Sequence, residues 1–163
     1  MTDTSPTLHM LCGKIGAGKS TLAHRLAQSP NTVLLVEDAW LGTLFADQMK
    51  TPADYLRYAG RLKAAMGPHV LQLLTKGISV VLDFPANTVE MRAWMRGLLD
   101  QTEAAHVLHV LDVPDEVCLA RLHARNAAGT HPFKVTDAQF REVTRHHQPP
   151  ETSEGFVVKI HTE

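Results

Sequence analysis

Gly13-Lys14-Ile15-Gly16-Ala17-Gly18-Lys19-Ser20 is the stretch on which the reading of this chain turns. It completes the pattern G-x-x-x-x-G-K-[ST], and its flanks are the ones that pattern needs. The apolar run Thr7–Cys12 before it suits a buried strand, and a helical pattern follows through Ala27. Glycines let a backbone curl so that successive amides converge on phosphate oxygens, where any Cβ would intrude. The start of the following helix adds its positive end. Lys19 is expected to neutralise the β- and γ-phosphates of a nucleoside triphosphate, and the Ser20 hydroxyl to ligate Mg²⁺. Gly13 through Ser20, with Thr21 beside them, form the expected triphosphate site. Lys14 either touches phosphate or points to water, since Lys19 already supplies the loop's catalytic lysine.

The rest of the chain alternates between two periodicities. Thr32–Val36 is a second apolar, β-branched run that ends at the acids Glu37 and Asp38. Thr51-Pro52-Ala53-Asp54 reads as a capped helix start, and the helix is expected to reach Lys76 with a kink or break at Gly67-Pro68. Ile78–Phe84 is the third strand. Met91, Trp94, Met95, Leu98 and Leu99 then form one apolar helix face. Ala105–Val113 is the fourth strand, Pro114-Asp115-Glu116 opens another helix, Thr136 with Gln139 caps the last one, and Gly155–Ile160 is the fifth strand. Strands alternating with helices predict an α/β chain whose parallel sheet is wrapped by helices. Asn126–Val135, rich in Ala, Gly, Thr and Pro, is expected to be a surface loop.

Composition narrows the function classes. A chain of 163 residues with 44% hydrophobic and 20% charged residues suits one globular domain, 1–163. Lys plus Arg number 16 against 17 Asp plus Glu, a net charge of -1, which argues against a generally basic nucleic-acid binder. No apolar run approaches a membrane span, and the first residues carry Asp3 and Pro6 where a secretion signal needs basic and then apolar residues. Cys12 and Cys118 form no CxxC pair and read as buried thiols of a cytoplasmic protein. The ten histidines do not cluster along the sequence, and His106 and His109 fall on opposite strand faces, so a structural zinc site is not expected.

From about Leu8 to Ile160 the chain resembles the small P-loop kinases: the zeta-toxin kinases, chloramphenicol phosphotransferase, gluconate and shikimate kinases, and the kinase domain of polynucleotide kinase. The "LDF…R…RN…EGF" run also resembles small ATP-binding proteins of the AAA type. This resemblance implies a three-layer P-loop NTPase fold with strand order 2-3-1-4-5 and a short lid at about 126–135. It implies ATP and Mg²⁺ as cofactors. It also implies transfer of the γ-phosphate to a hydroxyl of a small molecule. Nucleotide or polynucleotide kinase activity, or a non-catalytic ATP-binding regulatory module, are the alternatives.

The resemblance assigns roles to particular residues. Asp38 deprotonates the acceptor hydroxyl, or caps a helix starting at Ala39, and the two roles are compatible. Strand alternation sends Glu37 and Asp38 to opposite faces, so only one reaches the site. Asp83, ending a Walker B-like strand, holds a Mg²⁺-bound water or an acceptor-site arginine, unless it simply opens a turn before Pro85. Asn87 and Arg92 face the acceptor, Arg92 having a solvated helix face as its plain reading. Arg121 and Arg125 share a helix face and close over the phosphates. The loop from Pro149 to Gly155 forms part of the adenine pocket. Arg57 and Arg61, in the acceptor region, read mainly as a solvated helix face.

Overall fold

The computed structural model describes residues 5–129 and 134–162. Its strands are β1 (Thr7–Cys12), β2 (Thr32–Val36), β3 (Ser79–Pro85), β4 (Ala105–Asp112) and β5 (Val158–Thr162). Every neighbouring pair is parallel and the order is β2-β3-β1-β4-β5, as the resemblance implied. Among the described residues six α-helices flank the sheet: α1 (Lys19–Leu26), α2 (Glu37–Phe45), α3 (Pro52–Thr75), α4 (Val89–Leu99), α5 (Asp115–Ala128) and α6 (Asp137–Arg145).

A sheet covered on both faces needs apolar side chains on both, and the central strands supply them. Leu8, Met10, Leu82, Phe84 and Leu108 pack with α3 and α4 on one face. Leu11, Val81 and Leu111 pack with α1, α5 and α6 on the other. All eight are buried. The C-terminal ends of β1, β2 and β3 therefore converge at one rim, where the glycine loop emerges.

Three boundaries differ from the sequence expectation. α3 is capped by Thr51 and Asp54 as expected, but it runs unbroken through Gly67 and Pro68. Proline inside a helix costs about 3 kcal/mol. Leu62, Met66, Val70 and Leu74 are buried along this helix, at roughly 2 kcal/mol each. Burial wins. β5 begins at Val158 rather than Gly155, because Gly155 has φ +80 and closes a 3₁₀ turn over Thr152–Glu154. Of the expected lid at about 126–135, residues 126–128 belong to α5, Gly129 ends that helix in a left-handed conformation, and residues 130–133 lie outside the described residues.

The histidines do meet in space. His9 Nδ1 lies 3.0 Å from His109 Nε2, and His109 Nδ1 lies 2.9 Å from His161 Nε2, across β1, β4 and β5. In register, Leu11 pairs with His109 and Leu111 with His161. Each histidine is thus offset by two residues from the next, an even step that keeps all three on one face. Among the described residues no group of three His, Cys, Asp or Glu is arranged to hold a metal ion, so the row is a hydrogen-bonded ladder.

Burial lowers the pKa of all three, that of His109 to about 4. A depressed histidine favours the neutral form, so the unfolded chain takes up protons first and stability falls as pH drops from about 6.5 towards 4. Tm is expected to fall by roughly 5 °C or more between about pH 7 and about pH 5, with His109→Gln removing a large part of that drop. A thermal melt series in both proteins checks this.

Candidate active site

β1 delivers its chain end at Gly13, and the loop that follows is shaped by two glycines. Gly16 has φ +80, and a Cβ there would sit 2.5 Å from the carbonyl oxygen of Cys118 in α5. Gly18 has φ +102 and forms the N-cap of α1 without a side-chain partner, leaving the first-turn amides free of a side-chain cap. The Lys19 amine folds back to donate to the carbonyls of Gly13 and, at 3.1 Å, Lys14. Asn87, just beyond β3, brackets the loop's first residue. Its Oδ1 accepts from the Gly13 amide at 2.9 Å and its Nδ2 donates to the Gly13 carbonyl at 2.9 Å.

Ser20 and Asp83 come from different elements and meet: the Ser20 hydroxyl donates to Asp83 Oδ2 at 3.2 Å. Burial raises the Asp83 pKa, opposed by that hydrogen bond and by Lys19. Burial lowers the Lys19 pKa, opposed by the charges of Asp83 and Asp38. A hydroxyl and a carboxylate beside a phosphate-shaped loop suit Mg²⁺, which takes oxygen ligands, needs few from protein, and keeps several waters.

These groups open onto one cavity of about 570 Å³. Lys14, Ile15, Gly16, Gly18, Lys19, Ser20 and Thr21 line one side, with Arg121 and Arg125 from α5. Glu37, Asp38, Tyr55, Asp83 and Asn87 also line it. Gly13 and Ala17 are buried behind the loop. Arg121 donates to the carbonyls of Gly16 at 3.4 Å and Ala17 at 3.2 Å. Among the described residues the buried Nε of Arg125 has no hydrogen-bond partner, an orphaned donor of the kind an anion satisfies. Loop glycines, orphaned guanidinium nitrogen and oxygen pair together fit a magnesium-bound triphosphate.

Several expectations are corrected. Lys14 neither turns to water nor adds an unpaired charge for phosphate, because its Nζ is 2.5 Å from Asp115 Oδ1 and ties the loop to α5. Arg92 does not face an acceptor: it is fully buried, with Nε 2.7 Å from Glu154 Oε1 and Nη1 donating to the Ala86 carbonyl at 2.9 Å. Arg92 also holds the Pro149 carbonyl at 3.4 Å and Arg96 the Gly155 carbonyl at 2.9 Å. The loop 149–155 therefore packs against α4 instead of beside the glycine loop, where His161 and Thr162 of β5 line a second cavity with Gly18, Thr21 and Arg121. Arg57 and Arg61 lie over the Tyr58 ring at 5.6 and 5.3 Å, away from both cavities. Removing Arg92 leaves Glu154 without its cation and the Ala86 carbonyl without its donor. Arg92→Ala is expected to cost about 3 kcal/mol, or roughly 6–12 °C in Tm, measurable by urea and thermal denaturation.

Glu37 is the site residue the sequence reading undervalued. α2 starts at Glu37 directly after β2, so strand alternation does not apply and both acids border the cavity. Asp38 is exposed, while Glu37 is 2% exposed and accepts from the Tyr55 hydroxyl. Burial pushes the Glu37 pKa up to about 7, and burial and Glu37 together raise that of Tyr55. The signal was present: Leu41 lies four residues on, is buried, and shares a helix face with Glu37.

Solved structures with this architecture include a presumptive kinase from Chloroflexus aurantiacus J-10-fl, 22% identical, with a TM-score of 0.75 over 97% of this chain and 88% of that one. The Mycobacterium tuberculosis APS kinase CysC, in complex with AMPPNP and APS, is 21% identical over 97% of this chain and 88% of its own, with a TM-score of 0.63. A Sinorhizobium meliloti 1021 gluconokinase is 15% identical over 96% and 83%, with a TM-score of 0.63. At these identities the likeness establishes the kinase-like P-loop fold. No curated protein gives a significant sequence match. The AAA domain family model, however, matches residues 8–150, from the second residue of β1 to the loop ahead of β5, and the chain belongs to that family.

Proposed function

We propose that this protein is an ATP- and Mg²⁺-dependent phosphotransferase that moves the γ-phosphate to a hydroxyl of a small molecule. The observation that carries this reading is the shared cavity: the exposed carboxylate of Asp38 borders the same space as Lys19, Ser20 and Asp83. Phosphoryl transfer demands positioning and charge stabilisation more than covalent chemistry. The loop amides and Lys19 would hold the β- and γ-phosphates, with Thr21 and Arg121 beside them. Arg121 and Arg125 supply guanidinium charge for the equatorial oxygens. Ser20 and Asp83 would hold Mg²⁺, directly or through water, and the ion would supply positive charge against the charge that develops on the transferring phosphate. Asp38 orients the acceptor hydroxyl and takes its proton.

Two of these solved structures, the gluconokinase and the APS kinase, act on small molecules by their names, which supports the same class of acceptor here. The test is ADP release from Mg-ATP with pooled metabolites, nucleosides, aminoglycosides and short oligonucleotides, each pool examined by mass spectrometry. A phosphorylated small molecule, absent with Lys19→Ala, is the expected result. A phosphorylated oligonucleotide would transfer the reading to the polynucleotide class. Tight Mg-ATP binding without product from any pool would point to a nucleotide-gated binding module.

A further inference from the structure

The acceptor end of the cavity has a definite electrostatic character. Its walls carry Glu37 and Asp38 from the start of α2, Tyr55 from α3 and Asp83 from β3. Asp38 and Tyr55 also line an adjoining cavity of about 320 Å³, whose other walls include the apolar side chains of Leu41, Met49 and Pro52. The two spaces share Asp38 and Tyr55 as walls. Among the described residues, Lys50 is the one basic residue lining the adjoining space.

The basic residues of the main cavity come from other elements. Lys14, Lys19, Arg121 and Arg125 belong to the glycine loop, its helix and α5, and Lys14 is paired with Asp115. Arg57, Arg61 and Lys63 of α3 line neither cavity, although the Lys63 charge still acts on Glu37. Arg57 and Arg61 lie over Tyr58, while Lys63 lies 5.9 Å from the Trp94 ring centroid and 3.4 Å from Met91 Sδ. Cations of the glycine loop and α5 thus face the Glu37 and Asp38 carboxylates across one cavity, with Asp83 between them beside Ser20 and Lys19.

We propose, building on the phosphotransferase reading, that the acceptor is a cationic alcohol, an amino alcohol or amino sugar, whose ammonium group is held by Glu37 with Tyr55 while its hydroxyl lies against Asp38. An anionic alcohol would meet the Glu37 and Asp38 carboxylates in addition to the triphosphate, with Lys50 and the charge of Lys63 to oppose them. A cation finds a pre-built partner. The Tyr55 hydroxyl already fixes one oxygen of Glu37, so little ordering remains when an ammonium arrives. Burying a carboxylic acid beside a second acid is costly in a folded protein, and a bound cation relieves that cost when the acid ionises. The raised pKa of Glu37 agrees with a group that awaits a countercharge.

The test uses the full chain with Mg-ATP and three pools of hydroxyl compounds of similar size. One pool holds amino alcohols and amino sugars, one neutral polyols and sugars, and one sugar acids and sugar phosphates. ADP release and phosphoester formation are read in each. The cationic pool is expected to give product at least about tenfold faster than the anionic pool. Glu37→Gln is expected to raise the KM of the responding cationic acceptor by about tenfold or more with the KM for ATP little changed. Tyr55→Phe, which leaves the carboxylate in place, should give a smaller rise in the same constant. Both variants are checked by thermal melts, so a folding defect is recognised as such.

Product formed equally well or better from the anionic or neutral pool would overturn the charge inference and leave the phosphotransferase standing. An unchanged KM for the cationic acceptor in folded Glu37→Gln would overturn the role of Glu37. Mg-ATP binding without product from any pool would overturn both readings together.

Discussion

Lys19→Ala is expected to reduce phosphoryl transfer by about 10²–10³-fold or more while the fold persists. The Lys19 amine donates to the carbonyls of Gly13 and Lys14 at the turn that would cradle the phosphates. It is also a positive group held among protein atoms, where burial already lowers its pKa against the pull of Asp83 and Asp38. A charge in such surroundings acts through a lower effective dielectric than one in water, so its loss is correspondingly severe. The fold should survive because the two apolar clusters that build the core do not include Lys19. Steady-state ADP formation, with circular dichroism melts of the same preparations, measures both halves of the expectation. Near wild-type turnover in a folded Lys19→Ala protein would contradict the assignment of the loop.

Asp38→Asn is the second large effect, a loss of about 10²–10⁴-fold in kcat with the KM for ATP little changed. Asparagine keeps the shape and the capacity to accept a hydrogen bond, but it cannot take a proton at neutral pH. The site argues for Asp38 over its neighbour. Asp38 is exposed to both cavities, whereas the Glu37 carboxyl is buried and occupied by the Tyr55 hydroxyl. The plain structural role of Asp38 is small: an acid in the first turn of α2 is worth roughly 0.3–1 kcal/mol. A stability measurement therefore separates the two roles. Loss of kcat with an almost unchanged melt assigns chemistry, while a matching loss of both assigns only a helix start. Retained activity in Asp38→Asn would transfer the base role away from this residue.

The loop and the alternation of strands and helices were legible because each rests on local rules. Gly16 and Gly18 have the positive φ their motif demands, and Thr51 with Asp54 forms the expected cap. The sheet order was not readable from periodicity and came from resemblance alone. The pairing of Ser20 with Asp83 followed from that order, since it depends on β1 and β3 lying side by side.

What was missed depends on events between distant segments. The histidine ladder needs the register of three parallel strands, which no single strand encodes. Arg92 looks like a solvated or acceptor-facing residue until the loop carrying Glu154 folds over it. Asn87 was assigned to the acceptor side, yet its amide is spent on both polar groups of Gly13. Glu37 was misread for a local reason, because α2 begins at Glu37, directly after β2, and not at Ala39.

The central claim is that the γ-phosphate leaves ATP for an alcohol oxygen held at Asp38. Phosphorus-31 NMR of the full chain with Mg-ATP and the acceptor pools follows that phosphate directly. The account predicts loss of the γ-signal and growth of a phosphomonoester signal, both suppressed by Lys19→Ala and by Asp38→Asn. Growth of inorganic phosphate alone, or a γ-signal that persists with every pool, would contradict it.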